Sequence, residues 1–193
     1  KFRASVPGTI TGIRFYKDAA NTGTHTGSLW TSTGTQLATA TFSNETASGW
    51  QEVTFSSPVT ITPGVTYVAS YYAPAGNYTF SANTFTGAGV TNASNTLTAL
   101  QSGVDGSNGV YLVQFGGGFP TSSFNDANYW VDVTFRPSAG INLFSLTSIT
   151  SAAGCVTTGS PLDTAAVSIT QVDATAVITN VLCNGATTGA ITV

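Results

Sequence analysis

Residues 129–135 read YWVDVTF, and their alternation decides the fold. Successive side chains of an extended strand point to opposite faces, so Tyr129, Val131, Val133 and Phe135 share one face and Trp130, Asp132 and Thr134 the other. The first set belongs in a core and the second faces outward. Working away from this stretch, strand-like runs bounded by turn residues recur about every ten positions: TITGIRFYK (9–17), GSLWTS (27–32), QLATATF (36–42), WQEVTF (50–55), VTITPG (59–64), TYVASYYA (66–73), YTF (78–80) and VYLVQF (110–115). That is the spacing of a β-sandwich. No window carries apolar residues at i, i+3, i+4 and i+7 over three turns, which excludes a helix-rich fold.

Composition agrees. Of 193 residues only 13 are charged, whereas 34 are threonine and 20 serine, so the surface is solvated by hydroxyls and amides. Thr, Tyr, Phe and Val suit pleated, half-buried surfaces, and 21 glycines and 7 prolines supply turns. All-β is the expected class, with a surface suited to extracellular life. Lys1, Arg3, Arg14 and Lys17 lie in the first 17 positions, leaving Arg136 against eight acids, so no basic stripe exists for nucleic acid. Residues 142–162 are uncharged but broken by Gly, Pro and hydroxyls, and no membrane-inserting segment is expected. With no initiator Met and no charged, apolar leader, the chain is expected to be a piece of a longer protein.

RPSAG (136–140) reads as a proline-stopped linker, giving an expected sandwich over 1–136 and a linker over 137–140. Beyond it Phe144 is the only aromatic. The runs AAVSIT and TAVITNVL indicate a small, immunoglobulin-like β module over 141–173 that ends one repeat, and 174–193 opens another that is incomplete.

The stretches running from TGIRFYKDAANTGTHTGSLW through SGWQEVTFSSPVTITPGVTYVASYYAP, with DGSNGVY and GGGFPTSSFNDANYWVDVTF, make residues 1–135 resemble the DUF4082 family of bacterial secreted and cell-surface proteins. The resemblance implies a jelly-roll-like antiparallel sandwich found beside polysaccharide-active enzymes and adhesin repeats, and a binding or spacer role rather than catalysis. The tail, through LCNGATTGAITV and AAGCVTTGSPLDTAAVSITQ, is similar to the SprB repeat of Bacteroidetes adhesins. That similarity implies a very long surface protein exported by type IX secretion machinery, in some cases tied to gliding motility. The export signal would lie outside these residues.

Catalysis has little support. His25, the single histidine, sits in a Gly/Thr loop without a serine elbow, cysteine partner or HExxH helix, and reads as a loop-stabilising residue. Glycoside hydrolysis needs two carboxylates roughly 5–9 Å apart across the bond, and Glu45 and Glu52 merely flank a turn. Sugar binding has more: Trp130 lies opposite the core face, and Trp50 lies opposite Val53 and Phe55 beside Glu52. Exposed indoles stack on a pyranose while carboxylates and amides orient its hydroxyls. Trp50, Glu52, Phe119, Phe124, Asn125, Asp126, Asn128, Trp130 and Asp132 are therefore glycan-binding candidates, with Tyr129 beside them. The competing expectation is that these aromatics seal the sandwich ends.

No cofactor is required. Asp18, Asn21, Asp105 and Asn108, with Asp126 and Asn128, are candidate oxygen ligands for a structural calcium ion, although VDGSNG is equally a plain turn and no DxDxDG loop occurs. Cys155 and Cys183 suggest a disulfide worth roughly 3–4 kcal/mol if paired, or two cysteines belonging to different repeats. Thr164 in the DTA motif resembles a Bacteroidetes O-glycosylation acceptor. The expected protein is a non-catalytic segment of a secreted, cell-surface adhesin or fibre. Its partners would be surface glycans or neighbouring subunits; the alternatives are an accessory module of a polysaccharide-degrading enzyme and a structural filament subunit.

Overall fold

The computed structural model describes residues 1–138 in full and, beyond them, the backbone of six short strands. The chain divides into two compact units, Lys1–Ser138 and Ala139–Val193. The first contains eleven strands: β1 Phe2–Ala4, β2 Gly8–Lys17, β3 Thr26–Thr31, β4 Gln36–Thr41, β5 Gly49–Ile61, β6 Tyr67–Tyr72, β7 Val90–Thr91, β8 Leu97–Ala99, β9 Val110–Tyr111, β10 Ser122–Ser123 and β11 Val131–Pro137. They form a six-stranded sheet in the order β4-β3-β6-β1-β8-β7, a three-stranded sheet in the order β11-β2-β5, and the small pair β10-β9. Every described pairing is antiparallel, and the described residues contain no helix. The architecture is an antiparallel β-sandwich, as the alternation and turn spacing predict.

The core lies between the two sheets and is organised around β2. Ile10, Ile13 and Phe15 are fully buried, against Leu29 of β3 and Ile61 of β5, with Phe42 and Phe55 closing round them. Phe15 stacks on Tyr71 at 4.3 Å and meets Phe42 edge-on at 4.9 Å. Burying each such side chain contributes roughly 1.5–3 kcal/mol. Ile10 and Ile13 stand three apart, which strict alternation would place on opposite faces. A bulge between Ile10 and Gly12, opposite Val59 and Thr54 of β5, resets the phase and turns both inward. Gly12 allows it, because a Cβ there would lie 2.2 Å from the Val53 carbonyl oxygen.

The same bulge explains two runs that became one element. WQEVTF and VTITPG merge into β5, with Pro58 inside it, because β5 is an edge strand and the missing N–H falls within the irregular stretch. β11 begins at Val131, not Tyr129, because Trp130 takes a left-handed φ of 52°. It places Val131, Val133 and Phe135 against the core and pairs along β2 from Phe15 to Gly8, whereas Tyr129, expected with them, stays outside that cluster. Arg136 and Pro137 still pair with Thr9 and Gly8, so the strand runs into the segment expected as linker, and the first unit closes at Ser138. YTF forms no strand and contributes one bridge beside it, Ser81 to Asn128; only Val110 and Tyr111 of VYLVQF pair.

In the second unit β12 Ile141–Ser145 pairs with β15 Thr164–Ser168, β13 Ser148–Thr150 with β14 Val156–Thr158, and β16 Val177–Ile178 with β17 Ile191–Thr192. Thr164 opens β15 opposite Ser145. Cys155 and Cys183 lie outside the described residues. Among the described residues no helix is long and apolar enough to cross a membrane.

Candidate functional site: an aromatic face on the three-stranded sheet

The outer face of β11-β2-β5 is built by register. Across β2, Tyr16 stands opposite Trp50 and its N–H donates to the Trp130 carbonyl at 2.9 Å, so three aromatic residues form one row. One pair further along, Arg14 lies between Asp132 and Glu52. Alternation sends Ile13, Phe15 and Lys17 inward and leaves Arg14 and Tyr16 outside. The Tyr16 and Trp50 rings meet edge-on at 5.7 Å, and Trp50 and Trp130 at 6.5 Å. Together with Thr79, Phe80 and Ser81 they line a groove of about 390 Å³. Trp50 keeps 42% of its surface exposed, Trp130 36% and Phe80 50%.

Charge on this face is internally matched. Arg14 donates through Nη2 to Asp132 at 2.8 Å, and its guanidinium lies 4.5 Å over the Trp50 ring. Glu52 accepts from the Thr134 hydroxyl at 2.8 Å. The face therefore offers aromatic surface and carboxylate oxygens, with its one cation already paired.

Trp130 is held in a costly conformation. Its φ is 52°, a left-handed backbone that bulky residues rarely adopt, and Asn125 and Asp126 just before it share that region. Its N–H donates to Asn128 Oδ1 at 2.8 Å and its indole N–H to Ser81 Oγ at 3.2 Å. Strain of roughly 1–3 kcal/mol persists only where the surroundings impose it, and such residues cluster at functional sites.

A second polar cluster sits inside. His25 is fully buried, with Nδ1 donating to Glu45 at 2.9 Å and Nε2 2.8 Å from Asn21 Oδ1, while Lys17 Nζ donates to Glu45 at 2.8 Å. Burial alone would raise the Glu45 carboxyl, but the hydrogen bonds from Lys17 and His25 outweigh it and hold the group below its ordinary range. This network anchors the loop after β2 to the segment between β4 and β5. Among the described residues, no cysteine, serine or threonine nucleophile bonds to His25.

The family described as Domain of unknown function (DUF4082) matches residues 1–131. The chain belongs to the DUF4082 family. No curated protein and no solved structure matches it.

The DUF4082 sandwich brings together Trp50, Glu52, Trp130 and Asp132 from the expected glycan-binding set. Asn128 supports Trp130 from behind. Phe119 stands elsewhere, 5.8 Å from the Trp30 ring and against Gly34, and so packs beneath a loop. Phe124 is exposed, in the turn where Ala127 N–H donates to its carbonyl. Asn125 O accepts from Asn83 N–H, and Asp126 accepts from Ser102 and Thr86, tying two loops together. Arg14, Tyr16, Phe80 and Ser81 are additions. Alternation in TITGIRFYK already puts Arg14 and Tyr16 outside, whereas Phe80 ends the run YTF, which reads as a strand in sequence but folds as an irregular segment.

The calcium candidates Asp18, Asn21, Asp105 and Asn108 fall into two groups already engaged by protein, as Asp126 and Asn128 are by the contacts given above. Asp18 Oδ1 accepts from the Ala20 and Asn21 N–H groups, and Asn21 Oδ1 faces His25. Asp105 lies 3.6 Å from Arg3, and a Thr66 hydrogen bond, then the charges of Lys1 and Arg3, lower its carboxyl. Asn108 donates to the Leu100 carbonyl at 2.6 Å and its Oδ1 accepts from Gly109 N–H. Among the described residues no three His, Cys, Asp or Glu side chains stand together, and a calcium ion at either group would compete with these hydrogen-bond partners.

Proposed function

We propose that the DUF4082 domain is a non-catalytic glycan-binding head carried on a secreted, cell-surface adhesin or fibre. The observation that carries this reading is the outward row Trp130, Tyr16 and Trp50, in which Trp130 is kept at positive φ beside Asp132 and Glu52. A half-exposed tryptophan at a left-handed φ contributes little to core packing, and an Asn or Gly would hold that backbone at lower cost. Indole faces stack on the apolar side of a sugar ring, and Asp132, Glu52 and the Ser81 hydroxyl supply acceptors for its hydroxyls. The similarity of the tail to SprB repeats supports a long surface protein of Bacteroidetes, exported by type IX machinery, on which individually weak contacts gain strength by multivalency. A structural calcium ion, the Cys155–Cys183 bridge and a glycan on Thr164 belong to the same proposal.

A glycan array probed with the full chain tests it. Wild type binds a subset of glycans, and Trp50→Ala and Trp130→Ala each lower affinity about tenfold or more, equivalent to about 1.4 kcal/mol. Absence of binding to every glycan, or binding indifferent to both substitutions, would remove the head function and leave the filament-subunit reading.

A further inference from the structure

The aromatic surface continues past Trp130 and over the end of β11. Ser81 and Asn128 exchange backbone hydrogen bonds, each 2.9 Å, which lays residues 78–81 across the start of that strand. Phe80 lines the tryptophan groove on the outer side. Its ring lies 6.0 Å from Tyr78, Tyr78 lies 5.6 Å from Tyr129, and Tyr129 lies 6.1 Å from Tyr111. Tyr129 precedes Trp130 just before β11, so the ring contacts lead from the tryptophan groove past the start of that strand to Tyr111. Tyr78 is 51% exposed.

Tyr78, Tyr129 and Tyr111 line a second, larger cleft of about 1,380 Å³. That cleft runs on past these tyrosines to residues as far apart as Lys1, Trp30 and Pro137, so the tyrosines border an open surface rather than a pocket closed around one small molecule. Neighbouring rings lie 5.6–6.5 Å apart and are tilted by 55–75° to one another, so along this chain of contacts a sugar would meet ring edges as well as faces. The charge along the track is slight. Arg14 is paired with Asp132, Glu52 adds one carboxylate, and the three tyrosines present neutral hydroxyls that both donate and accept. A uronic-acid polymer would meet no uncommitted cation here.

We infer that the aromatic track is a multi-unit binding site for a linear, uncharged polysaccharide, with one unit in the Trp50–Trp130–Phe80 groove and the following units along Tyr78, Tyr129 and Tyr111. The inference rests on the glycan-binding reading above and specifies its ligand class.

Calorimetric titration of the full 193-residue chain tests it, using gluco-, xylo- and manno-oligosaccharides of one to six units and oligogalacturonates of the same lengths. For at least one neutral series, affinity rises about 30-fold or more from two units to six. Tyr78→Ala lowers hexamer affinity about tenfold and leaves binding of the single-unit sugar unchanged, whereas Trp50→Ala weakens every length. The proposed track is overturned by affinity that stops growing at two units, by a hexamer indifferent to Tyr78→Ala, or by tighter binding of the oligogalacturonates. Each of those outcomes leaves the simpler glycan-binding head standing. No binding of any probe overturns both.

Discussion

Replacing Glu45 by Gln should destabilise the sandwich more than any exposed charge substitution. Glu45 carries the only carboxylate in the Lys17–His25–Asn21 cluster, and the Lys17 and Glu45 side chains are 10% and 11% exposed. The amide that replaces the carboxylate could still accept one hydrogen bond, but it would leave the Lys17 ammonium nearly dry and without a counter-charge. Breaking a buried pair from one side costs about 3–5 kcal/mol; the remaining access to water places this case at about 3 kcal/mol. With a urea slope of about 2 kcal/mol per molar, the unfolding midpoint falls by about 1.5 M. Asp132→Asn is the control: the Arg14–Asp132 pair has nearly the same 2.8 Å separation but both side chains are 46% exposed, and its loss costs under about 1 kcal/mol. All three tryptophans, Trp30, Trp50 and Trp130, lie in the first unit, so their fluorescence in urea reports that unit alone. Acid gives a second readout. A carboxyl held below its ordinary value stabilises the fold above that value, 4.5, and loses the contribution as pH falls through the lowered one. The gap between wild type and E45Q therefore narrows below about pH 4.5. A midpoint shift for E45Q no larger than that for D132N would refute the view that this cluster is a buried, mutually dependent network.

Two further substitutions separate strain from packing. At position 130 the φ of 52° makes Trp130→Asn more stable than Trp130→Val by about 1–2 kcal/mol, the reverse of β propensity; urea unfolding that ranks Val above Asn would contradict a left-handed backbone there. Phe119→Ala removes the ring packed on Trp30 and costs about 1–2 kcal/mol of stability, yet leaves glycan affinity unchanged; a binding loss comparable to that of Trp50→Ala would return Phe119 to the site.

Much of the fold was legible because period-2 alternation and turn residues are local signals. β2, β3, β4, β6 and β11 fall where their runs predict. β1, β7, β8 and β10 are two or three residues long and owe their pairing to partners far along the chain, so no local pattern announces them. Part of the site was equally legible: Trp50, Glu52 and Asp132 follow from strand parity, whereas Trp130 precedes β11 at a left-handed φ that parity does not foresee. Their meeting on one surface did not follow from parity, because it requires β11 and β5 to flank β2 in a particular register. Asp126 and Asn128 look like metal or sugar ligands in sequence. Only the folded loops show them committed to Ser102, Thr86 and the Trp130 N–H.

By itself the sequence determined the all-β class, the outward parity of Trp50 and the change of character at residues 136–140, since composition and alternation act over a few residues. Tertiary structure alone decided that a bulge turns Ile10 and Ile13 to one side, that Glu45 closes on His25 and Lys17, and that Phe80 and Tyr78 carry the aromatic surface round the end of β11. Each of these depends on which backbone lies across from which, a long-range pairing set by the closing of the two sheets and invisible to any local pattern.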